Sequence, residues 1–209
     1  MFKKYLIIGF LLFLASCKVQ ENLNISGNNS CQNNNKFDCI IDLVIKEGNQ
    51  IYCENLLSEK SEKQFCYLIA AFKNRNYQLC DKVGSETEIS QCKFSISVDS
   101  GDLGKCKQYA SEEQLPIPGP VAITPQMICE GSIKKQLVRL DDGTVLDFRG
   151  VQDEEQCKEY KTNSNLNESV KEELKERCYY DLAVNSKNIY FCEYTTSLLK
   201  YVCEARTLK

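Results

Sequence analysis

The chain contains no histidine and no tryptophan in its 209 residues. Without histidine there is no Ser-His-Asp triad, no Cys-His nucleophile and no histidine metal site. Glycine is sparse, ten residues in all, and none falls in a Gly-x-Gly-x-x-Gly or P-loop arrangement, so nucleotide phosphates have no loop to cradle them. There is no surplus of positive charge: 26 Lys and Arg face 29 Asp and Glu, a net charge of −3. That balance argues against nucleic acid or anionic lipid as the main partner. Thirteen cysteines are present, yet no two form Cys-x-x-Cys, which counts against a zinc ribbon, a thioredoxin-like site and c-type haem attachment. The acidic groups Asp141-Asp142 with Asp147, and Asp153-Glu154-Glu155, have simple roles in turn formation and at a helix start. The expectation is therefore no catalytic residue, no metal, no cofactor, and a chain that is not an enzyme.

What is present begins at the N-terminus. Lys3 and Lys4 precede an apolar run from Leu6 to Leu14. At about ten residues this run is too short to span a bilayer, which needs about 20, and the layout is that of a secretory signal peptide. It leads into Leu14-Ala15-Ser16-Cys17. In these residues the chain resembles bacterial lipoproteins. The resemblance implies that residues 1–16 are a signal peptide and that the Cys17 thiol takes a diacylglycerol. Cleavage then makes Cys17 the first mature residue, held in a lipid bilayer by its acyl chains, palmitate among them. Lys18, where envelope sorting would place Asp for retention, resembles the pattern for an outer-membrane destination. Residues 17–30 are polar and Asn-rich and read as a flexible tether. Loss of Lys3 and Lys4 moves the formal charge to about −5, still mildly acidic.

With Cys17 assigned to lipid, an even set of cysteines remains, and in an exported protein that reads as a disulfide framework. The framework is periodic. Cys39–Cys53, Cys66–Cys80, Cys92–Cys106 and Cys178–Cys192 share one Cys-x13-Cys frame. Ten residues after each first cysteine stand Asn49, Asn76, Asp102 and Asn188, preceded by Gly48, Arg75, Gly101 and Lys187. Leu43-Val44, Ala70-Ala71, Ile96-Ser97 and Leu182-Ala183 occupy the fourth and fifth positions of the frame. A longer fifth copy runs from Cys129 to Cys157, with Asp153 at the equivalent place, and a sixth stops at Cys203. The frame predicts an αα-hairpin. Its first helix carries the apolar stripe, a left-handed residue such as Gly48 or Gly101 ends that helix, and Asn or Asp caps a short second helix. Helices are expected over 36–47, 50–57, 59–74, 77–83, 87–99, 103–110, 125–135, 154–161, 168–185, 189–195 and 197–207. In the segment 167–184, Ser169 and Glu172 have the spacing of a capping box. Val170, Leu174, Cys178 and Leu182 form the expected apolar stripe, with Lys171, Glu172, Lys175 and Glu176 facing water. The fold class expected is all-α: a disulfide-stapled αα-hairpin repeat array, or short solenoid, over residues 31–209, with one small β-hairpin insertion. The aromatics beside cysteines (Tyr52, Phe65, Tyr67, Tyr179, Phe191, with Leu79 as their aliphatic analogue) are expected to pack on the bridges as core.

Two disulfide connectivities fit this repeat. One pairs the cysteines within each Cys-x13-Cys unit and joins Cys31 to Cys203. The other is Cys31-Cys39, Cys53-Cys66, Cys80-Cys92, Cys106-Cys129, Cys157-Cys178 and Cys192-Cys203. Within a unit the two cysteines differ in height by roughly 7 Å along antiparallel helices, at about 1.5 Å per residue. Bridged Cα atoms lie only about 5.5–6 Å apart. Geometry therefore favours the second set, unless a steep crossing angle rescues the first.

Residues 110–150 break the period. All four prolines lie here, Pro116, Pro118, Pro120 and Pro125, implying a stiff extended loop. Alternating runs at 136–140 and 144–149 flank Asp141-Asp142-Gly143, a β-hairpin signal. An irregular insertion on a rigid scaffold is either surface decoration or a place where function resides. As a recognition patch it offers Tyr109, Arg139, Phe148 and Arg149, residue types enriched at binding hot spots, together with an edge strand. The reading is a membrane-anchored binding or adhesion module for an unknown protein partner, with a structural subunit of an envelope assembly as the alternative.

Overall fold

The computed structural model describes residues 31, 36–110, 123–140, 143, 145–159 and 167–208. The signal peptide, Cys17, the tether and prolines 116–120 lie outside the described residues. Ten α-helices run in order: α1 (Lys36–Glu47), α2 (Ile51–Asn55), α3 (Lys60–Asn74), α4 (Tyr77–Cys80), α5 (Glu86–Ser100), α6 (Leu103–Tyr109), α7 (Pro125–Lys134), α8 (Glu154–Glu159), α9 (Glu168–Ser186) and α10 (Ser197–Thr207). Strands β1 (Leu137–Arg139) and β2 (Val145–Asp147) form an antiparallel hairpin between α7 and α8. The segment Ile189–Tyr194, expected as an α-helix, is a 3-10 helix instead.

Each corner between a long and a short helix is built the same way. Arg75, Gly101 and Lys187 take left-handed backbone, with φ of 50°, 72° and 56°, and Gly48 does so at 70°. The next residue then serves both helices. Asn76, Asp102 and Asn188 donate their backbone N–H to the carbonyls of Ala71, Ser97 and Ala183, at 3.0, 2.9 and 3.1 Å. This closes the preceding helix in the Schellman manner. Their side-chain oxygens accept from Gln78, Lys105 and Tyr190 N, opening the following helix. Asn49 accepts from Ile51 N and Asp153 from Gln156 N in the same way. The frame's fifth position, Ala71, Ser97 and Ala183, supplies that carbonyl, while at the first corner Val44 accepts from Gly48 N at 2.8 Å; all four are fully buried, which explains their small or β-branched side chains.

Two local expectations are corrected. Helix α9 starts at Glu168 and is capped by Asn167, whose oxygen accepts from Val170 N at 2.9 Å, so Ser169 lies inside the first turn and makes no capping box. The reciprocal capping box is at α5, between Ser85 and Glu88. The stripe on α9 is also only half buried. Cys178, Tyr179, Leu182 and Ala183 are core, whereas Val170 and Leu174 are exposed, and the Lys171 side chain, expected in water, is 14% exposed. Helical periodicity there marks a face but does not by itself bury it.

The structure has the second disulfide set: Cys31–Cys39, Cys53–Cys66, Cys80–Cys92, Cys106–Cys129, Cys157–Cys178 and Cys192–Cys203, with Cα separations of 5.4 to 5.8 Å. The first ties Cys31 to α1, and each of the other five staples a short helical segment to the helix that follows. All these cysteines except Cys39 are buried. Closing loops of this length contributes about 3 kcal/mol per bridge in the chain-entropy view. Tyr52, Tyr67, Leu79 and Tyr179 are buried beside them.

The long helices pack in sequence, α1 on α3, α3 on α5, α5 on α7, and α9 on α10. A solenoid keeps each unit against its neighbours alone. Here α10 also packs on α3 and α1. Arg206 on α10 fixes that return. Its guanidinium donates to both Asp99 oxygens at 2.9 and 2.7 Å and to the Tyr180 hydroxyl at 2.7 Å. It also lies over the Phe72 and Tyr180 rings at 5.5 and 5.8 Å. Four long helices (α3, α5, α9 and α10) meet on one cation. Asp181 nearby has its pKa raised by burial, against the opposing pull of Arg177, Arg206 and Lys135.

Candidate functional site

Among the described residues a cleft of about 780 Å³ opens beside the corners that follow α1, α3 and α5. Corner residues build it. Gln50 follows the first corner, Asn74 to Gln78 form the second, Asp81 ends α4, Lys93 projects from α5, and Lys105 and Tyr109 lie on α6. Asn74 locks the first two corners by donating to the Gly48 carbonyl at 2.6 Å. A side chain at Gly48 would meet the Asn74 amide, so this glycine is required both for its φ and for the close approach.

Two tyrosines line the cleft, Tyr77 and Tyr109, with ring centroids 6.2 Å apart and planes tilted by 30°. The Lys93 ammonium sits 5.4 Å above the Tyr109 ring and 2.5 Å from an Asp81 oxygen. The Tyr77 hydroxyl is 3.3 Å from Ser100 Oγ. Arg75 and Lys105 are exposed. Among the described residues neither has an acidic partner; Lys105 reaches only the Gln108 amide oxygen at 3.4 Å. The cleft thus offers three cations and one carboxylate, with side-chain amides from Gln50, Asn76 and Gln78. Its apolar surface is that of the two rings. Arg75 holds a left-handed backbone that favours glycine, and a strained non-glycine residue at a concave surface is itself a signal of use.

The four residues expected to form one recognition patch are divided. Tyr109 belongs to the corner cleft. Phe148 is half-buried against Gly131 of α7, its ring occupying the space a Cβ there would need. Arg149 turns back on its own hairpin, with backbone N–H and guanidinium donating to Asp147 at 2.7 to 3.0 Å. That hydrogen bonding lowers the Asp147 pKa to about 2. Arg139 is exposed on β1 opposite Val145. The cleft lies on the regular units, and Arg75, Tyr77, Lys93 and Lys105 were not singled out by spacing alone. The sequence signal for the first of them is an Arg standing where Gly48 and Gly101 stand.

A second surface lies at the C-terminal units. Tyr179 stacks on Tyr194 at 4.4 Å, and the Tyr190 and Tyr194 hydroxyls are 2.8 Å apart. That hydrogen bond, with burial second, pushes the Tyr194 phenol up to about 12. Tyr190 and Leu198 are more than half exposed. Among the described residues no cluster of His, Cys, Asp or Glu is arranged to hold a metal ion, and no helix is long and apolar enough to cross a membrane.

No family model, no curated protein and no solved structure matches the chain.

Proposed function

We propose that this is an exported, lipid-anchored binding module of the bacterial outer membrane, without catalytic activity, whose recognition surface is the corner cleft around Tyr77 and Tyr109. In this reading Cys17 carries the lipid, residues 17–30 hold the folded part off the bilayer, and the αα-hairpin units are copies of one repeat whose stack closes on itself. The observation that carries the proposal is the set of two acid-free cations, Arg75 and Lys105, placed around a tyrosine pair in a cleft that three stapled units hold rigid. Rigid positioning lowers the entropy lost on binding. Among the described lining residues Asp81 is the one carboxylate and is paired to Lys93, so the cleft has no pair of carboxylates for acid–base work.

The test is photo-crosslinking on intact cells from a probe at Gln78, at the cleft rim, with metabolic labelling by an alkynyl fatty acid. The expected result is an acyl label lost in Cys17→Ser and a cleft-dependent adduct lost in an Arg75→Asn/Lys105→Gln variant. Labelling without any cleft-dependent adduct overturns the cleft as the binding surface. A second reading, a subunit of an envelope assembly, is favoured by exposed Tyr190 and Leu198. It predicts that a probe at Tyr190 captures a neighbour when the cleft probe does not.

A further inference from the structure

We infer that the corner cleft recognises an acidic saccharide, a run of sugar rings bearing carboxylate groups. The inference rests on the binding-module reading above and names its ligand class. Three features point to it together. First, charge: Lys93 is engaged by Asp81 at 2.5 Å, while Arg75 and Lys105 have no acidic partner among the described residues, so the cleft has cations to spare for an anion. A guanidinium and an ammonium on separate corners suit two spaced carboxylates, the guanidinium by a bidentate pair and the ammonium as a point charge. Second, aromatic lining: Tyr77 and Tyr109 are half-buried in the cleft wall with Lys93 over the Tyr109 ring, and their remaining ring surface and hydroxyl ends are of the kind that meets a sugar's C–H face and its hydroxyls. Third, donors: Gln50 and Gln78 bring side-chain amides that both donate and accept, and Asn76, whose oxygen caps α4, adds its amide NH2 as a donor, matching hydroxyl groups.

A peptide is disfavoured by the same lining. Peptide grooves anchor apolar side chains in pockets or add a strand to a sheet edge. Among the described residues this cleft has no aliphatic lining residue, and the hairpin of β1 and β2 lies outside it. The cleft volume of about 780 Å³ is in the range of small-ligand sites, about 300–1,000 Å³, enough for a short oligosaccharide segment.

The experiment is isothermal titration of the full exported, oxidised chain in detergent with three probes: a tetra-galacturonate, a neutral tetraglucose of equal length, and tetraglutamate. The uronate oligomer is expected to bind, with the neutral sugar at least about tenfold weaker, since charge-assisted hydrogen bonds dominate. Arg75→Asn and Lys105→Gln are each expected to weaken uronate binding about tenfold. Both positions are exposed, and Asn tolerates the left-handed backbone of position 75, so folding is preserved. Tyr109→Ala is expected to weaken the acidic sugar while leaving any residual binding of tetraglutamate unchanged. Equal affinity for the neutral sugar overturns the charge argument. Tetraglutamate binding as well as or better than uronate overturns the saccharide and leaves the binding-module reading standing. No binding by any probe overturns the saccharide alone. The binding-module reading falls only if the cleft crosslink on cells is also absent.

Discussion

The residue before Asn49, Asn76, Asp102 and Asn188 takes the left-handed turn at its corner. Where it is glycine, the left-handed turn is accessible without side-chain clash; where it is Arg75 or Lys187, L-residue sterics oppose it. Nothing lies within 4 Å of a Cβ built at Gly101, so Gly101→Ala isolates the conformational cost. It is expected to destabilise by about 1–2 kcal/mol in urea unfolding. Lys187→Gly is expected to stabilise by about 0.5–1 kcal/mol, read by the same measurement. The corner geometry was legible because one offset recurs. The strained members escaped because Arg and Lys do not announce positive φ. At this scale too, Asp147 carries a pH signature. Arg149 holds its folded pKa at about 2 against an ordinary 3.8. Its contribution is therefore complete above about pH 4 and is lost as pH falls through about 2. A carboxyl-carbon NMR titration is expected to place the midpoint near the lower value, and Arg149→Gln is expected to raise it part of the way to the ordinary carboxylate range, since the backbone N–H of residue 149 still donates.

Among the elements, helix positions came out close to expectation because caps and periodicity are local. What each face meets is not local. Val170 and Leu174 satisfy the 3.6-residue period yet lie exposed, since a period marks a face and not its neighbour. The hairpin shows the converse. Phe148 reads as an exposed contact residue in sequence, but the missing side chain at Gly131 makes room for its ring. Gly131 is helical, where alanine is ordinarily better by about 1 kcal/mol. The Phe148 ring reverses that preference. Gly131→Ala is expected to cost about 1–3 kcal/mol and to raise amide exchange in Val138 and Leu146, the inward residues of the hairpin.

For the whole molecule, the decisive contact joins residues 107 apart in sequence, Asp99 and Arg206. No period or motif in the chain foretells it, which is why an open stack was the natural expectation. With side chains only 14% and 16% exposed, removing one partner strands the other charge. Asp99→Ala is expected to destabilise by about 3 kcal/mol. Calorimetry is expected to show the single transition of the parent dividing into two, the N-terminal and C-terminal units melting apart. A variant that keeps one transition at unchanged temperature would mean that the Asp99–Arg206 contact carries no cooperativity.

The cystine order bears on how the molecule is made. Every bridge joins a cysteine to the very next one along the chain, starting from Cys31. A chain threading outward from its N-terminus therefore presents its thiols in pairs, and an oxidase that links them as they emerge reaches the native set without any isomerase. The parity of that count depends on Cys17. Left as a free thiol it would be the first to emerge and would shift every partner by one, so the acyl group proposed there doubles as the guard of the oxidation register.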